Sequence, residues 1–299
     1  MKILQIFAVL GIILLQKKDK LMIVRIVGGL GNQLFQYAIG RSCCELNHQK
    51  LYLDVDCNSG ITQRNFELDK LNISNYQRVS YLCSNKYKFI RRIHKPNTRI
   101  NSFSIFKYGK EYEDFVYQDV SKNTYLDGYW QNELYFKNIK NILTSEFTHK
   151  ETFNGSIQAL LNDIKKDNSV GVHVRRGDYL SIDLYEVLSY EYFYNSINMI
   201  NKRIENAQFY VFSDDIEWCK NAFYHIDNIR FVEGNSSIED FELLKNCKHK
   251  IISNSTFSWW AAWLNAGNDS IKIAPDKWYK DYKKNQNCKS ALLDDFLVI

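Results

Sequence analysis

From residue 22 onward the chain alternates short apolar runs with amphipathic stretches, the signature of strands and helices taken in turn. Val24-Arg25-Ile26-Val27 reads as a buried strand that ends in Gly28-Gly29-Leu30-Gly31. A helical stretch over residues 32–46 follows, then a second strand over 50–55. Strand, glycine turn, helix and strand in that order open a Rossmann-like layer. The segment 58–150 is rich in Tyr, Phe and Asn without a clean period, and no element is assigned to it. The alternation then returns. Helices are expected over 155–166, 190–206, 215–222 and 237–246, and strands over 169–174, 207–212, 229–232, 250–252 and 270–274. Strands separated by helices predict parallel sheet covered on both faces. The expected fold class is α/β: two Rossmann-like halves, divided near residues 150–168, with a ligand cleft at the C-terminal ends of the strands.

Composition narrows the function more than the fold. Of 299 residues, 45% are hydrophobic and 24% charged, which excludes a disordered tail, a collagen-like fibre and a multi-span membrane protein. The net charge of +5 is spread along the chain, so nucleic acid is not an expected partner, while an anionic small substrate remains open. Seven cysteines without a CxxC pair point to free buried thiols in a reducing compartment rather than a disulfide framework or zinc site. Residues 3–15 form an apolar run broken only by Gln5, shorter than the roughly 20 residues of a bilayer span. Met22 opens the first strand, so residues 1–21 read as an N-terminal extension upstream of the true start, with weak membrane association as the alternative.

Four strand-end loops carry candidate chemistry. In Gly28-Gly29-Leu30-Gly31-Asn32-Gln33, glycines between a strand and a helix admit a ligand to free backbone N–H groups. As a dinucleotide fingerprint the loop is incomplete, since Leu34 stands where a third glycine belongs. Asp54 and Asp56 lie at the distance of a ribose ligand, which keeps a nicotinamide-dependent oxidoreductase as one alternative. The same pair forms a DxD that could hold a metal on a sugar nucleotide, but no metal site is assigned, because arginines elsewhere already offer charge for a diphosphate. Those arginines lie in His173-Val174-Arg175-Arg176-Gly177-Asp178-Tyr179. Two guanidiniums at a strand end suit a phosphate; the alternative is a solvated pair with Asp178 as partner. Ser213-Asp214-Asp215 suits nucleoside hydroxyls or base N–H groups, and equally the N-cap of the next helix. In the stretch from Ser253 to Trp260, Asn254, Ser255, Thr256 and Ser258 present donors for phosphate or sugar oxygens. Trp259, Trp260 and Trp263 fit the core better than a sugar platform. His48, His94, His149, His225 and His249 show no ligand spacing.

Taken together, these blocks resemble the alpha-1,2-fucosyltransferases of glycosyltransferase family eleven. The resemblance runs over residues 22 to about 278. It is carried by GGLGNQLFQYAIG from Gly28, Gly128-Tyr129-Trp130-Gln131, the His173 and Ser213 blocks, Cys247-Lys248-His249, and SNSTFSWWAAWLN from Ser253. It implies a GT-B-like architecture, two facing Rossmann-like domains with a cleft between them: 22–155 on the acceptor side and 156–299 binding GDP-fucose. The implied reaction is inverting transfer of L-fucose from GDP-fucose to the 2-hydroxyl of a terminal β-galactoside glycan, in surface polysaccharide synthesis, with no cofactor and no required metal. Candidate catalytic residues are Asn32, Arg175 and Asp178, the last either as base for the acceptor proton or as a guide for an arginine. Candidate substrate-binding residues are Gly29, Gly31, Gln33, His173, Arg175, Arg176, Ser213, Asp214, Asn254, Ser255, Thr256 and Ser258. Asn132 departs from the family pattern, where serine is expected. The expected location is cytoplasmic, with peripheral association at the cytoplasmic face of the membrane as a variant. A transferase for another GDP-sugar and a non-catalytic nucleotide-sugar-binding protein are the alternatives.

Overall fold

The computed structural model describes residues 21–55, 65–79, 98–100, 103–108, 123–153, 155–265, 267, 269–288 and 292–299. These fall into two compact units, one of residues up to Phe66 with Ile73–Leu143, the other of Glu67–Asn72 with Thr144–Ile299. In the first unit, strand β1 (Leu21–Arg25) leads into helix α1 (Leu30–Asn47) and strand β2 (Lys50–Asp54), the expected opening. Strands β3 (Tyr76–Val79), β4 (Thr98–Ile100), β5 (Phe103–Tyr108) and β6 (Asn123–Gly128) complete a six-stranded sheet in the order β3-β2-β1-β6-β5-β4. All neighbours are parallel except β4 with β5.

Met22, Ile23 and Val24 are all buried, which is why β1 reads as an unbroken apolar run rather than an alternating one. Helix α1 is buried from Leu30 to Cys44 except at Asn32. It comes close to β1 and β2 at Gly40, where a Cβ would sit 2.5 Å from Val24 Cγ2 and 2.8 Å from Leu51 Cδ1. The helix stops at His48, whose left-handed backbone (φ 51°) lets its N–H reach the Cys44 carbonyl. Strands β3 to β6 fall in the segment without assigned elements. In β6 the reason is visible: Thr124 is fully buried, and Asp127 pairs with Arg25 at 2.9 Å. Polar residues satisfied inside the unit hide the apolar pattern.

Helix α2 (Lys140–Glu146) and helix α3 (Gly155–Lys166) precede strand β7 (Asn168–Val174) of the second unit. Then come α4 (Tyr190–Asn201), β8 (Ala207–Ser213), α5 (Ile216–Phe223), β9 (Ile229–Val232), α6 (Ser237–Asn246), β10 (His249–Ile251), α7 (Thr256–Trp263), β11 (Lys272–Ala274), α8 (Tyr282–Cys288) and β12 (Phe296–Val298). The sheet order is β12-β11-β10-β7-β8-β9, parallel throughout. On one face Val170, Val172, Val174, Phe209 and Val211 pack with Phe193, Ile197 and Ile200 of α4 and with Cys219 and Phe223 of α5. Helix α6 starts at a capping box between Ser236 and Glu239. The tryptophans of α7 lie in the core as expected: Trp260 meets Trp259 and Trp263 edge to face. Helix α4 ends at Asn201, short of its expected end; turns follow, and Asn206 with a left-handed backbone (φ 52°) leads into β8. Two such sheets, each in its own unit, give the α/β, GT-B-like class that the resemblance implies.

Two further expectations meet the structure here. Cys43, Cys44, Cys219 and Cys247 are free and buried, as anticipated. A membrane-spanning reading is corrected: among the described residues no helix is long and apolar enough to cross a membrane; residues 1–20, on which the weak membrane association was placed, lie outside them.

Gly171 of β7 gives a test of the packing. A Cβ there would lie 2.5 Å from Leu244 Cδ1 and 3.2 Å from Cys247 Sγ. Overpacking should outweigh what alanine gains over glycine within a strand, so Gly171→Ala is expected to lower urea-unfolding stability by about 1–2 kcal/mol. Unchanged or raised stability would contradict the tight helix–sheet contact.

Candidate functional site

In the second unit the order in which strands are added reverses between β7 and β10, running outward to β8 on one side of β7 and to β10 on the other. Such a switch point opens a crevice beyond the C-terminal strand ends. Arg175 and Arg176 follow β7, Ser213 ends β8 with Asp214 and Asp215 behind it, and the loop from Ser253 to Ser255 joins β10 to α7. Arg175 is gripped from two sides. Its Nη2 lies 2.7 Å from Asp178 Oδ1 and its Nη1 3.0 Å from Asp214 Oδ2, an ion pair on each side. Its guanidinium also lies 5.3 Å from the Tyr179 ring centre. Arg176 is held separately, by Asp215 Oδ2 at 3.3 Å and by the face of Trp218 at 4.0 Å. Asp214 Oδ1 accepts the backbone N–H of Arg176 at 2.9 Å, so one carboxylate ties the end of β7 to the end of β8. Gly177 has to be small for this: a Cβ there would sit 2.6 Å from Asp214 Oδ2. The ion pairs engage part of Arg175's fork of N–H donors and leave the rest for an external anion.

One step inside, His173 is buried, with Nδ1 at 2.8 Å from Ser253 Oγ and its ring 5.2 Å from that of Phe257. Burial first, and then the neighbouring Arg175, push its pKa down to about 3, so the ring stays neutral. It joins the ends of β7 and β10. Asn254 is a strut: its Nδ2 donates to the carbonyls of Glu186 and Trp278, both at 2.8 Å, and its carbonyl accepts from Tyr179 Oη at 3.1 Å. Ser258 Oγ turns back to the Ser253 and Ser255 carbonyls. Ser255 occupies the N-cap of α7 without a side-chain capping bond, and half-buried Thr256 opens the first turn. The front of α7 therefore offers two hydroxyls beside first-turn N–H groups. Ser213 Oγ accepts the Asp215 N–H at 2.9 Å, and Asp215 caps α5 through the Trp218 N–H.

The first unit has its own switch point, between β1 and β6. Gly28 adopts φ 84°, and a Cβ there would lie 2.9 Å from Asn32 Nδ2. Asn32 Oδ1 accepts from Gln131 Nε2, in the loop after β6, at 2.9 Å. Gln33 is fully buried and donates to the carbonyls of Gly28 and Asn65 at 2.9 and 2.8 Å, so it frames the loop. Gln36 braces both loops, accepting from Val27 N–H at 2.8 Å and donating to the Gly128 carbonyl at 3.2 Å. Gly29 is the N-cap of α1, and Gly31 is buried in its first turn. Asp54 is buried and accepts from Tyr125 Oη at 2.9 Å, while Asp56 lies outside the described residues. Asn132 accepts the Leu134 N–H at 2.9 Å, a capping role that serine also fills.

Residues 3–297 match the description Glycosyl transferase family 11. The chain belongs to that family. Over 279 residues it is 37% identical to an alpha-1,2-colitosyltransferase of Escherichia coli, covering 89% of this chain and 94% of that protein. It is 25% identical to galactoside alpha-(1,2)-fucosyltransferase 2 of Pongo pygmaeus, covering 84% of this chain and 71% of that protein. A mutant of Arabidopsis thaliana FUT1 in complex with GDP superposes with a TM-score of 0.52 over 85% of this chain and 70% of that one; at 12% identity this likeness shows the fold alone. The family read from the sequence blocks is thus borne out, and the chain is a glycosyltransferase.

Within this family 11 chain, Arg175, Arg176, Asp178 and Asp214 form one charged cluster, and Ser255 and Thr256 stand at the front of α7. Gln33, Asn254, Ser258 and Ser213 use their side chains within the protein. Sequence reading took Asp215 only as part of the Ser213 block or as an N-cap and gave no role to Trp218 or Gln36; Asp215 and Trp218 hold Arg176, and Gln36 braces the first unit's loops. The three-residue spacing from Asp215 to Trp218 at a helix start was the available signal. Gln131 stood within a quoted block, yet its bond to Asn32 spans 99 positions and leaves no local trace.

His173 makes stability depend on pH. A ring that stays neutral when folded, but protonates near pH 6.5 when unfolded, favours the unfolded chain as pH falls from about 6.5 towards 3. Between pH 7 and pH 5 the loss seen in urea titrations should be about 1–2 kcal/mol smaller in His173→Gln than in wild type, His249, also held low by burial, contributing a separate loss to both. Equal losses in both proteins would contradict the buried neutral ring.

Proposed function

We propose that the chain transfers L-fucose from GDP-fucose to the 2-hydroxyl of a terminal β-galactoside, with inversion at the anomeric carbon. The observation that carries this reading is Arg175, held by Asp178 and Asp214 at the switch point of a parallel sheet, in a family 11 chain. Support for the donor comes from the GDP seen with Arabidopsis thaliana FUT1 and from the two relatives, both named for α-1,2 transfer. Colitose is L-fucose without its 3-hydroxyl, so GDP-colitose is the second donor that the relatives favour.

The chemistry follows from charge. As the bond between the sugar and the diphosphate breaks, negative charge grows on the leaving GDP. The remaining N–H groups of Arg175 and the first-turn N–H groups of α7 oppose that charge. Both carboxylates fix the guanidinium before substrate arrives, so little reorganisation is needed during the reaction. Asp178, at 2.7 Å from Arg175, orients that arginine. The acceptor 2-hydroxyl attacks the opposite face of the anomeric carbon as its bond to the diphosphate breaks, and its proton passes to solvent late in a loose transition state, with Asn32 positioning the sugar. The arginines supply the positive charge, so a metal is not required.

The test is GDP release and product mass with GDP-fucose and GDP-colitose against a panel of β-galactosides, with and without EDTA. A 2-linked product one 6-deoxyhexose heavier, formed equally in EDTA, is expected with GDP-fucose. Arg175→Ala should lower transfer at least about a hundredfold. A folded Arg175→Ala protein with near-normal turnover overturns the diphosphate role. Donor binding without transfer to any galactoside would make the chain a nucleotide-sugar-binding protein instead.

A further inference from the structure

The loop after β6 holds polar and aromatic groups that the donor chemistry does not use. Trp130 adopts a left-handed backbone (φ 55°) and buries its ring edge to face against Tyr135, 5.5 Å between centres. That turn leaves the preceding residue outside, and Tyr129 is 43% exposed, a large ring in solvent beside a braced loop. On its other side Gln131 donates Nε2 to Asn32 Oδ1 at 2.9 Å. This bond engages Gln131 Nε2 and Asn32 Oδ1 and leaves Gln131 Oε1 as an acceptor and Asn32 Nδ2 as a donor. Gln36 fixes the loops after both strands through Val27 and Gly128, so the amide pair and the ring are presented on a rigid frame.

We propose that Tyr129, Gln131 and Asn32 form the subsite that holds the acceptor galactose. The proposal rests on the transferase reading above and adds the residues that select the acceptor. β-Galactose presents one apolar face, made by its C3, C4 and C5 hydrogens, and that face stacks on an aromatic ring. Stacking there leaves the equatorial 2-hydroxyl at the ring edge, clear of the tyrosine. One side-chain acceptor and one donor, on two amides joined by a hydrogen bond, match two neighbouring hydroxyls of a pyranose. A site built to bond a hydroxyl rejects an analogue that lacks it, because its polar groups are then left unpaired.

The experiment is steady-state kinetics of the full chain with GDP-fucose and a β-galactoside, together with GDP titration calorimetry, for wild type, Tyr129→Ala, Tyr129→Phe and Gln131→Leu. Tyr129→Ala should raise the acceptor KM at least about tenfold, equivalent to about 1.4 kcal/mol, with GDP affinity unchanged within about twofold. Tyr129→Phe keeps the ring and should stay within about threefold of wild type. Gln131→Leu should lower kcat/KM for the galactoside but much less for its 3-deoxy and 4-deoxy analogues, a readout that a purely structural role would not produce. An unmoved acceptor KM in Tyr129→Ala, or a parallel loss of GDP affinity, overturns the proposal while leaving the transferase reading intact. Absence of transfer by the wild-type chain to any galactoside overturns both.

Discussion

A guanidinium at the rim of a sheet is expensive to desolvate, and the second unit is organised around meeting that expense with carboxylates. Arg175 and Arg176 follow the central strand β7, where the crevice of a parallel sheet opens. Asp178, Asp214 and Asp215 supply the opposing charges from the same loop and from the end of β8. Removing Asp215 would leave Arg176 partly buried without its ion pair, whereas Arg175 keeps one carboxylate if the other is removed. The neighbours obey the same constraint. Gly177 is glycine because Asp214 lies where its side chain would be, and His173 is neutral because it is buried next to a fixed positive charge. An arginine held in this way is ready for a diphosphate before one arrives, and this links the fold to the proposed chemistry.

The first unit uses a different device at its own switch point. Beside the Arg25–Asp127 ion pair across β1 and β6, buried glutamines brace the loops there. Gln33 and Gln36 bond backbone carbonyls and an N–H that a tight glycine loop would otherwise leave unsatisfied. Because amides carry no net charge, they rigidify the loop without attracting an anion. That suits the neutral hydroxyl groups proposed to bind there, whereas the carboxylate-held arginines of the second unit suit the diphosphate proposed for them.

Much of this was legible in the sequence where cause and effect lie close together along the chain. Helices α3 and α6 and strand β9 match their expected spans, because each has strong local periodicity and clear end signals. The Arg175 block could be read because two arginines at a strand end have few other uses. Legibility failed where the reason was distant. Strand β6 was hidden because Thr124 and Asp127 find their environment inside the unit. Gln33, Asn254 and Ser258 looked like ligand donors because sequence shows that a polar group exists, but not that a carbonyl already occupies it. The pairing of Asn32 with Gln131 depends on the order β1-β6 in the sheet, which no local pattern encodes.

The central claim is that Arg175 binds the diphosphate and that its carboxylate partners hold it ready to do so. Calorimetric titration of GDP and GMP into wild type and Arg175→Ala addresses it directly, because the two nucleotides differ only in the β-phosphate. Wild type should prefer GDP over GMP by about tenfold or more, the scale of a charge-assisted contact, and the variant should lose that preference while binding GMP as before. An unchanged preference for GDP in a folded Arg175→Ala protein would contradict the account.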